Sequence, residues 1–253
     1  MNWKNIVAVS AACDHIIGLT GEGSVVAAGD NKYGQCNVYD WSEIIEVSAA
    51  RTHTVGLRTD GTVIAVGNNE WGQCNTHDWS GVVMVGAGYD YTVALRADGT
   101  VVATGDAPDG LSDWVDIISI AASDSSIIGL KVNGTVEIVG SDTYGQCSIR
   151  EWDDVVAITA GNKLTAVLRA NGEIWRTEIA PFSDRKRDTF VRGLKVFKNF
   201  ETFAEDSAKG RNLMSQYTET LAELVQVKGL FSGSKRRELE NRLAQIKEEL
   251  SEL

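Results

Sequence analysis

A twelve-residue segment occurs three times along the 253-residue chain. It reads DNKYGQCNVYDW, NNEWGQCNTHDW and SDTYGQCSIREW, and its copies end at Trp41, Trp79 and Trp152. With Trp3 and Trp114 these tryptophans form a series whose intervals are all equal except the third, which is shorter. A leucine series repeats the same intervals at Leu19, Leu57, Leu95, Leu130 and Leu168. The chain therefore contains five repeat units, and the third is three residues shorter because DAPDGLSDW replaces the common linker.

Each unit has the pattern of a small antiparallel sheet. In the second unit EIIEVSAA, THTVGLR and GTVIAVG predict three successive strands, and Asp60-Gly61 lies between the last two. Equivalent two-residue turns are predicted in every unit, because Asp-Gly or Asn-Gly tolerates the positive φ that a tight two-residue hairpin requires. One such sheet cannot bury both of its faces, whereas radial stacking of several sheets can. We therefore predict an all-β propeller of about five blades with three to four strands each.

The segment VVMVGAGYDYTVALRADGTVVATGD and linkers of the NNEWGQC type resemble the repeats of the regulator of chromosome condensation family in their short prokaryotic form. The resemblance covers about residues 1 to 178 and implies a β-propeller. The family's animal prototype is a seven-bladed nucleotide exchange factor for a small GTPase that also docks on nucleosomes. A bacterial relative is a proteinaceous β-lactamase inhibitor, so the family shares an architecture rather than an activity. This chain departs from its relatives by having five units, and GQC where many have GQL.

The chain after the fifth unit changes in character. In FVRGLKVF, Phe190, Leu194 and Val196 stand one full repeat beyond Trp152, Val156 and Ile158. This segment predicts the first strand of a sixth unit without its followers, and we expect it to latch a closed ring of five blades; a simple hydrophobic connection is the alternative. We therefore place the propeller and its latch strand in residues 1–200 and a helical tail in residues 201–253.

Apolar residues spaced by three and four predict two helices in the tail, separated by KGLFSGSKRRELE with its glycine breakers. Each apolar stripe is narrow and short for an isolated helix, so the helices must pack against something. We expect self-association into a homo-oligomer, and an intramolecular hairpin lying on the ring is the alternative. The residues expected to mediate self-association are Met214, Tyr217, Leu221, Leu224, Leu239, Leu243, Ile246 and Leu250.

The charge distribution narrows the choice of partners. Residues 1–181 contain 10 Lys and Arg against 23 Asp and Glu, whereas residues 182–253 contain 14 against 12. A ring this acidic repels phosphate backbones, so we expect no nucleic-acid partner. It suits a protein partner with a basic patch, and such an association would weaken with salt. The apolar runs are too short to span a membrane and no export signal is evident, so we expect a soluble cytoplasmic chain without a membrane partner.

The histidines and cysteines of this sequence are not arranged in a recognisable catalytic or metal-binding motif. His15 and His53 occupy one repeat position that holds Tyr91, Ser126 and Leu164 in later units, which indicates a structural role. The four cysteines include no CxxC pair and are expected to be small buried thiols in a reducing compartment. The sequence contains no glycine-rich phosphate loop and no nucleophile elbow. We predict no enzyme, no cofactor and no metal.

Binding by a propeller falls to its loops, because the strands are occupied with packing. The turns after the first strand of each unit vary most, and they are expected to bind a protein. Their residues are Asp14, Arg51, Thr52, Tyr89, Asp90, Asp124, Ser125, Asn162 and Lys163. A second set, the linker aromatics Tyr33, Trp71 and Tyr144, recurs just before GQC. We expect these rings to be wedged between blades.

The leading functional hypothesis is a non-catalytic interaction module. Its propeller loops bind a protein partner, and its helical tail mediates self-association or positions the module. The alternative is a regulator of an enzyme, acting by occlusion of an active site or by guanine nucleotide exchange, as the resemblance permits.

Overall fold

The computed structural model describes residues 3–147 and 152–177, together with Arg242 and Gln245, which are helical and exposed. The predicted latch strand within residues 189–200 lies outside the described residues. So do all eight predicted self-association residues and every other residue of the tail except Arg242 and Gln245. Among the described residues no helix is long and apolar enough to cross a membrane.

In the described residues fifteen strands form five antiparallel sheets of three strands each, and each sheet is a consecutive meander. Sheet one contains β1 (Ile6–Ala11), β2 (His15–Thr20) and β3 (Val25–Gly29); sheet two contains β4 (Ile44–Ala49), β5 (His53–Arg58) and β6 (Val63–Gly67). Sheet three contains β7 (Val82–Ala87), β8 (Tyr91–Arg96) and β9 (Val101–Gly105); sheet four contains β10 (Ile117–Ala122), β11 (Ser126–Lys131) and β12 (Val136–Gly140). Sheet five contains β13 (Val155–Gly161), β14 (Leu164–Arg169) and β15 (Ile174–Arg176), and a 3-10 helix, Leu111–Asp113, precedes sheet four. The five repeat units are thus confirmed as five sheets.

The turn between the second and third strands differs in detail from the prediction. Arg58 N donates to Thr62 O at 2.9 Å, which leaves three residues rather than two in the loop. Only Gly61 has a positive φ, of 75°. The Asp60 carboxylate instead accepts from the backbone N–H of Thr62 at 2.8 Å. The Asp-Gly pair therefore serves a three-residue loop, in which the aspartate supports the turn and the glycine supplies the left-handed conformation.

Successive sheets join through one repeated junction. The N–H that opens the first strand of a sheet donates to the turn glycine of the preceding sheet, as Ile44 does to Gly23 at 3.0 Å. The unit's tryptophan then packs between the two sheets. Trp41 belongs to the buried cluster of sheet one, and its ring also lies against Gly56 of its own sheet. Within the described residues no junction of this kind joins sheet five to sheet one.

The first strands of neighbouring sheets make close contacts with one another, and in the described residues no comparable set of contacts joins the third strands of neighbouring sheets. The sheets therefore converge on their first strands, as the blades of a propeller do. Side chains of one first strand accept hydrogen bonds from the backbone of the next. Ser10 Oγ accepts from Ala49 N at 2.9 Å, and Ser48 Oγ accepts from Ala87 N at 3.0 Å. These bonds satisfy N–H groups on the inner edge that have no partner within their own sheet.

Glu46 occupies another of these inner positions, and its buried environment leads us to expect that stability depends on pH. Its carboxylate accepts from Val85 N at 3.1 Å, and burial raises its pKa from 4.5 to about 7. Between these values the unfolded chain has lost the proton that the folded chain retains, so stability falls as pH rises through this window. We expect a loss of about 2 kcal/mol between pH 4.5 and 7.

Glu46→Gln keeps an oxygen that can accept from Val85 N but has no titrating proton. Urea unfolding of both proteins at pH 5 and pH 7.5 measures the effect, and the difference between them isolates Glu46 from the other titrating groups. The same pH dependence in both proteins would show that Glu46 titrates normally.

The four cysteines form no disulfide. Cys36 and Cys74 donate through Sγ to the backbone oxygens of Asp30 and Asn68, at 3.2 and 3.3 Å. Burial raises the pKa of the Cys74 thiol to about 11. The expectation of buried thiols is wrong for Cys13, which is exposed because it lies in a turn rather than in the linker position that the other three share. Those three, Cys36, Cys74 and Cys147, are half-buried.

Candidate functional site

The turns that follow the first strands and the starts of the linkers lie at the same end of the sheets. Asp30 N donates to Asp14 O at 2.7 Å, and Asn68 N donates to Thr52 O at 2.9 Å. Each bond joins the start of a linker to the turn of its own sheet. We call this end, with its turns (12–14, 50–52, 88–90, 123–125 and 162–163) and linker starts, the turn face. The two loop sets that the sequence singles out therefore form one surface.

One hydrogen bond between side chains and one between backbones connect three neighbouring turns of this face. Arg51 Nη1 donates to the hydroxyl of Tyr89 at 2.9 Å, and its guanidinium carbon lies 5.4 Å from the ring centroid. Tyr89 N in turn donates to Asp124 O at 3.3 Å. The Tyr89 ring is held in place and still has 37% of its surface exposed. A fixed and exposed aromatic side chain next to an arginine is a common anchor of protein interfaces.

A cleft of about 700 Å³ opens beside Tyr89. It lies among the turns of sheets three, four and five and the linker that leaves sheet three. The side chains that line it are mostly polar, and four of them are aspartates. The lining consists of Tyr89, Asp90, Asp106, Ala107, Pro108, Asp109, Asp124, Ser125, Gly140, Ser141 and Asn162.

The cleft is explained by the short third linker. In the other linkers a buried glutamine accepts from the backbone N–H of the aromatic residue two positions earlier, as Gln73 does from Trp71 at 3.0 Å. Gln35 accepts from Tyr33 and Gln146 from Tyr144 in the same way. The third linker has no such motif, and residues 106–110 lead directly into the 3-10 helix. The space that the aromatic-Gly-Gln-Cys motif fills elsewhere is therefore open.

The expectation that the linker aromatics are wedged between blades is wrong. Tyr33, Trp71 and Tyr144 have 41%, 60% and 42% of their surfaces exposed. The buried glutamine occupies the interior instead, because its amide can satisfy the polar backbone of the loop, which an aromatic ring cannot. Lys163 Nζ lies 4.5 Å from the centroid of the Tyr144 ring, so the turn and linker sets are in contact. These rings add exposed aromatic surface to the turn face.

Negative charge is crowded near the cleft. Burial raises the pKa of Asp90, and the neighbouring carboxylates of Asp106 and Glu70 raise it further. Arg51 opposes this effect. A cationic group entering the cleft would relieve the repulsion between these carboxylates. The electrostatics of the cleft therefore favour a positively charged ligand group.

Five of the nine predicted binding residues line the cleft: Tyr89, Asp90, Asp124, Ser125 and Asn162. Arg51 lies next to it through its contact with Tyr89, and Lys163 directly follows the lining residue Asn162 in sequence. Asp14 and Thr52 are outside its lining. The sequence did not identify residues 106–109, Gly140 or Ser141, which also line the cleft. The missing three residues and Pro108 signalled an altered linker, but only the fold shows that this linker borders a cleft among the turns of sheets three, four and five.

The two repeat-equivalent histidines are structural. His15 Nε2 lies 2.8 Å from Thr54 Oγ1, which itself donates to Gln35 O. His53 Nε2 lies 3.0 Å from Thr92 Oγ1, and burial lowers the pKa of His53 to about 4. Each ring therefore bridges two sheets as a neutral donor, although its buried Nδ1 has no hydrogen-bond partner. Within the part of the chain that the structure describes, no three His, Cys, Asp or Glu side chains are grouped to hold a metal.

The geometry defines a class: a β-propeller built from repeated three-stranded sheets, with a cleft on its turn face. Comparison with solved structures specifies it further. The chain is similar to human WBSCR16, with 18% identity and a TM-score of 0.59 over 70% of this chain and 62% of that one. It is also similar to yeast RCC1 (Prp20), with 16% identity and a TM-score of 0.56 over 68% and 55% of the two chains.

A third similar structure is the CRINKLY ectodomain of the Arabidopsis thaliana receptor kinase ACR4, with 16% identity and a TM-score of 0.57 over 70% and 69% of the two chains. No family model matches the sequence, and no curated protein matches it. The fold is therefore that of an RCC1-like repeat β-propeller, as the sequence resemblance implies. The chain spans less than two thirds of the length of WBSCR16 and Prp20.

Proposed function

We propose that the protein is a non-catalytic interaction module that binds a protein partner through its turn face. The observation that carries this proposal is the cleft of about 700 Å³ beside Tyr89. The Arg51 contact fixes one wall of the cleft, and exposed aromatic rings stand on the same face. Interfaces commonly combine such anchored aromatic and arginine side chains with a neighbouring pocket.

The partner we propose presents a basic chain segment to the cleft. Asp90, Asp106, Asp109 and Asp124 line the cleft, and among the residues that the structure describes no lysine or arginine lines it. A lysine or arginine side chain of the partner would meet several carboxylates at once. Because exposed charges are screened by salt, the association should weaken as ionic strength rises.

Similar propellers support a role in protein binding. One structure of yeast Prp20 contains Kap60, and another is described with its binding properties to Gsp1p and histones. These partners belong to Prp20. By analogy, we infer for this chain only that its propeller offers loops to another protein.

Regulation of an enzyme remains the second candidate, favoured by the same structural neighbours. The turn face could occlude an active site or promote guanine nucleotide exchange on a small GTPase. Measuring the activity of the captured partner with and without the purified chain separates the two candidates. A simple binding module leaves that activity unchanged.

For the tail, we propose self-association through the apolar stripes of residues 201–253. Light scattering of the full chain and of a chain ending at residue 200 measures this directly. A mass that falls from an oligomer to a monomer on truncation supports the proposal. The same monomeric mass for both proteins favours the intramolecular hairpin.

Charge reversal in the cleft gives the sharpest test of the binding proposal. Asp90→Lys combined with Asp106→Lys should weaken partner binding at least tenfold, since it repels the basic segment and removes its counter-charges. Tyr89→Ala should also weaken binding, because it removes the anchored ring. Affinity capture from the native host identifies the partner, and titration calorimetry with the purified partner measures the affinity.

Glu22→Lys is the matched control, because Glu22 is an exposed acid in the turn at the opposite end of sheet one. It makes the same type of charge change away from the turn face. We expect it to keep the affinity within about twofold. Equal binding by the double variant and by the unmodified chain would reject the turn face as the binding surface.

A further inference from the structure

In sheets one to four, the face that points toward the next sheet in sequence is covered by that sheet. The corresponding face of sheet five, which we call its outer face, is exposed. Ile174 has 44% of its surface exposed. Its repeat equivalents Val25, Val63, Val101 and Val136 have only 4%, 5%, 7% and 6% exposed. All five residues open the third strand of their sheets. Sheet five therefore has the surface that a following unit would cover, but no described residue covers it.

The other half of a junction is supplied by the next unit in sequence. Val63, for example, shares a buried cluster with Trp79 and with Val82, the first residue of the next first strand. Val101 shares a cluster with Trp114 and Ile117 in the same way. A tryptophan followed by a strand is thus what covers this valine elsewhere in the chain.

The chain provides a matching segment at the matching distance beyond sheet five. Trp41, Trp79 and Trp152 each follow, at one constant separation in sequence, the glycine that ends the preceding third strand, namely Gly29, Gly67 and Gly140. The repeat equivalent of these glycines in sheet five is Glu178, and Phe190 follows it at the same separation. The segment that begins at Phe190 therefore has the connection length that a further junction requires.

We propose that residues 189–200 dock on the outer face of sheet five as the first strand of a sixth unit, with Phe190 placed over Ile174. The repeat spacing then assigns specific pairs. The N–H of Gly193 would donate to Gly172 O, as Val155 N donates to Gly134 O at 2.9 Å. Thr159 would contact Lys198 N, as Ser48 Oγ contacts Ala87 N at 3.0 Å.

A second copy of the chain is the competing occupant, because sheet one also exposes its outer face. Val7 and Val9 in β1 have 67% and 63% of their surfaces exposed. The tethered segment has the advantage, however. A short linker gives an effective concentration in the millimolar range, about a thousandfold above a micromolar second copy. The two occupants differ in whether the contact forms within one chain or between chains.

Cysteine cross-linking of the full chain distinguishes these outcomes. In a background with the four native cysteines replaced by serine, Thr159→Cys with Lys198→Cys should form a disulfide within one chain under mild oxidation. Ser48→Cys with Ala87→Cys is the positive control, since the structure places these residues at an equivalent junction. Thr159→Cys with Lys195→Cys is the negative control, because three residues along a strand shift the partner by about 10 Å. Mass spectrometry after proteolysis locates each bond.

A disulfide within one chain at the level of the positive control supports the proposal. A disulfide found only between chains would overturn it in favour of a second copy, and a yield no higher than that of the negative control would overturn it outright. Thermal unfolding gives a second measurement. Phe190→Ala should lower the Tm by about 5 °C or more, whereas Phe182→Ala, outside the proposed strand, should leave it nearly unchanged. Equal Tm values for the two variants would also contradict the proposal.

Discussion

Gly67→Ala is expected to destabilise the protein by more than about 3 kcal/mol. Gly67 ends β6 with a φ of 122°, a backbone conformation that side chains rarely adopt. A Cβ placed there would lie 2.4 Å from Thr52 O and 2.6 Å from the Cα of His53. Both neighbours belong to the backbone at the start of β5, so they cannot move without disturbing the sheet. Urea unfolding monitored by tryptophan fluorescence measures the loss.

Gly81→Ala separates the two causes of this effect. Gly81 also has a positive φ, of 66°, but a Cβ there would meet nothing within 4 Å. It should therefore cost only the left-handed strain, about 1 kcal/mol. If both variants lose the same stability, the close approach of Gly67 to the β5 backbone does not matter and the prediction is wrong.

Trp41→Ala is expected to cost about 3 to 5 kcal/mol, as large-to-small changes in a core do. Its ring is buried in the cluster with Ile17 and Val25 of sheet one, and it also lies against Gly56. Removing it leaves a cavity between two sheets, so the protein should unfold at a lower urea concentration. The midpoint of urea unfolding is the measurement.

Trp71→Ala is the matched control for Trp41→Ala. The Trp71 ring is exposed on the turn face, so its loss should change stability by less than about 1 kcal/mol. It should instead weaken partner binding if the turn face is the interface. Equal destabilisation by the two substitutions would mean that tryptophan content, rather than the junction position, governs stability.

The sheets could be predicted from the sequence because their signals are local and repeated. The tryptophan spacing marks five units, and each unit forms one meander in the structure. The loop geometry at Asp60 could not be predicted to the same detail, because the same two residues serve both two-residue and three-residue loops. The choice depends on which backbone pair closes the hairpin, here Arg58 with Thr62.

The turn residues of the candidate site could be predicted from the sequence, whereas the exposure of the linker aromatics and the cleft could not. Variation among the turns identified Tyr89 and Asp90, which the structure places on the cleft wall. The linker aromatics were misjudged, because recurrence at one position indicates a shared role without showing which side of the loop faces the interior. Gln73, buried beside the exposed Trp71, shows that the polar neighbour fills the interior. The cleft itself depends on a deletion whose effect becomes visible only when neighbouring units are placed side by side.

The hydrogen bonds between first strands have a common direction. Between sheets one and two and between sheets two and three, the earlier sheet supplies the accepting side chain, Ser10 or Ser48, and the later sheet supplies the N–H, that of Ala49 or Ala87. A tandem duplication of the second unit would therefore create one new boundary, at which Ser48 of the first copy would meet Ala49 N of the second, so that this boundary would keep both an acceptor and a donor. Loss of the second unit would likewise place Ser10 opposite Ala87 N. Recombination between these units can thus lengthen or shorten such a gene by whole units while the protein keeps compatible first strands at the new boundary.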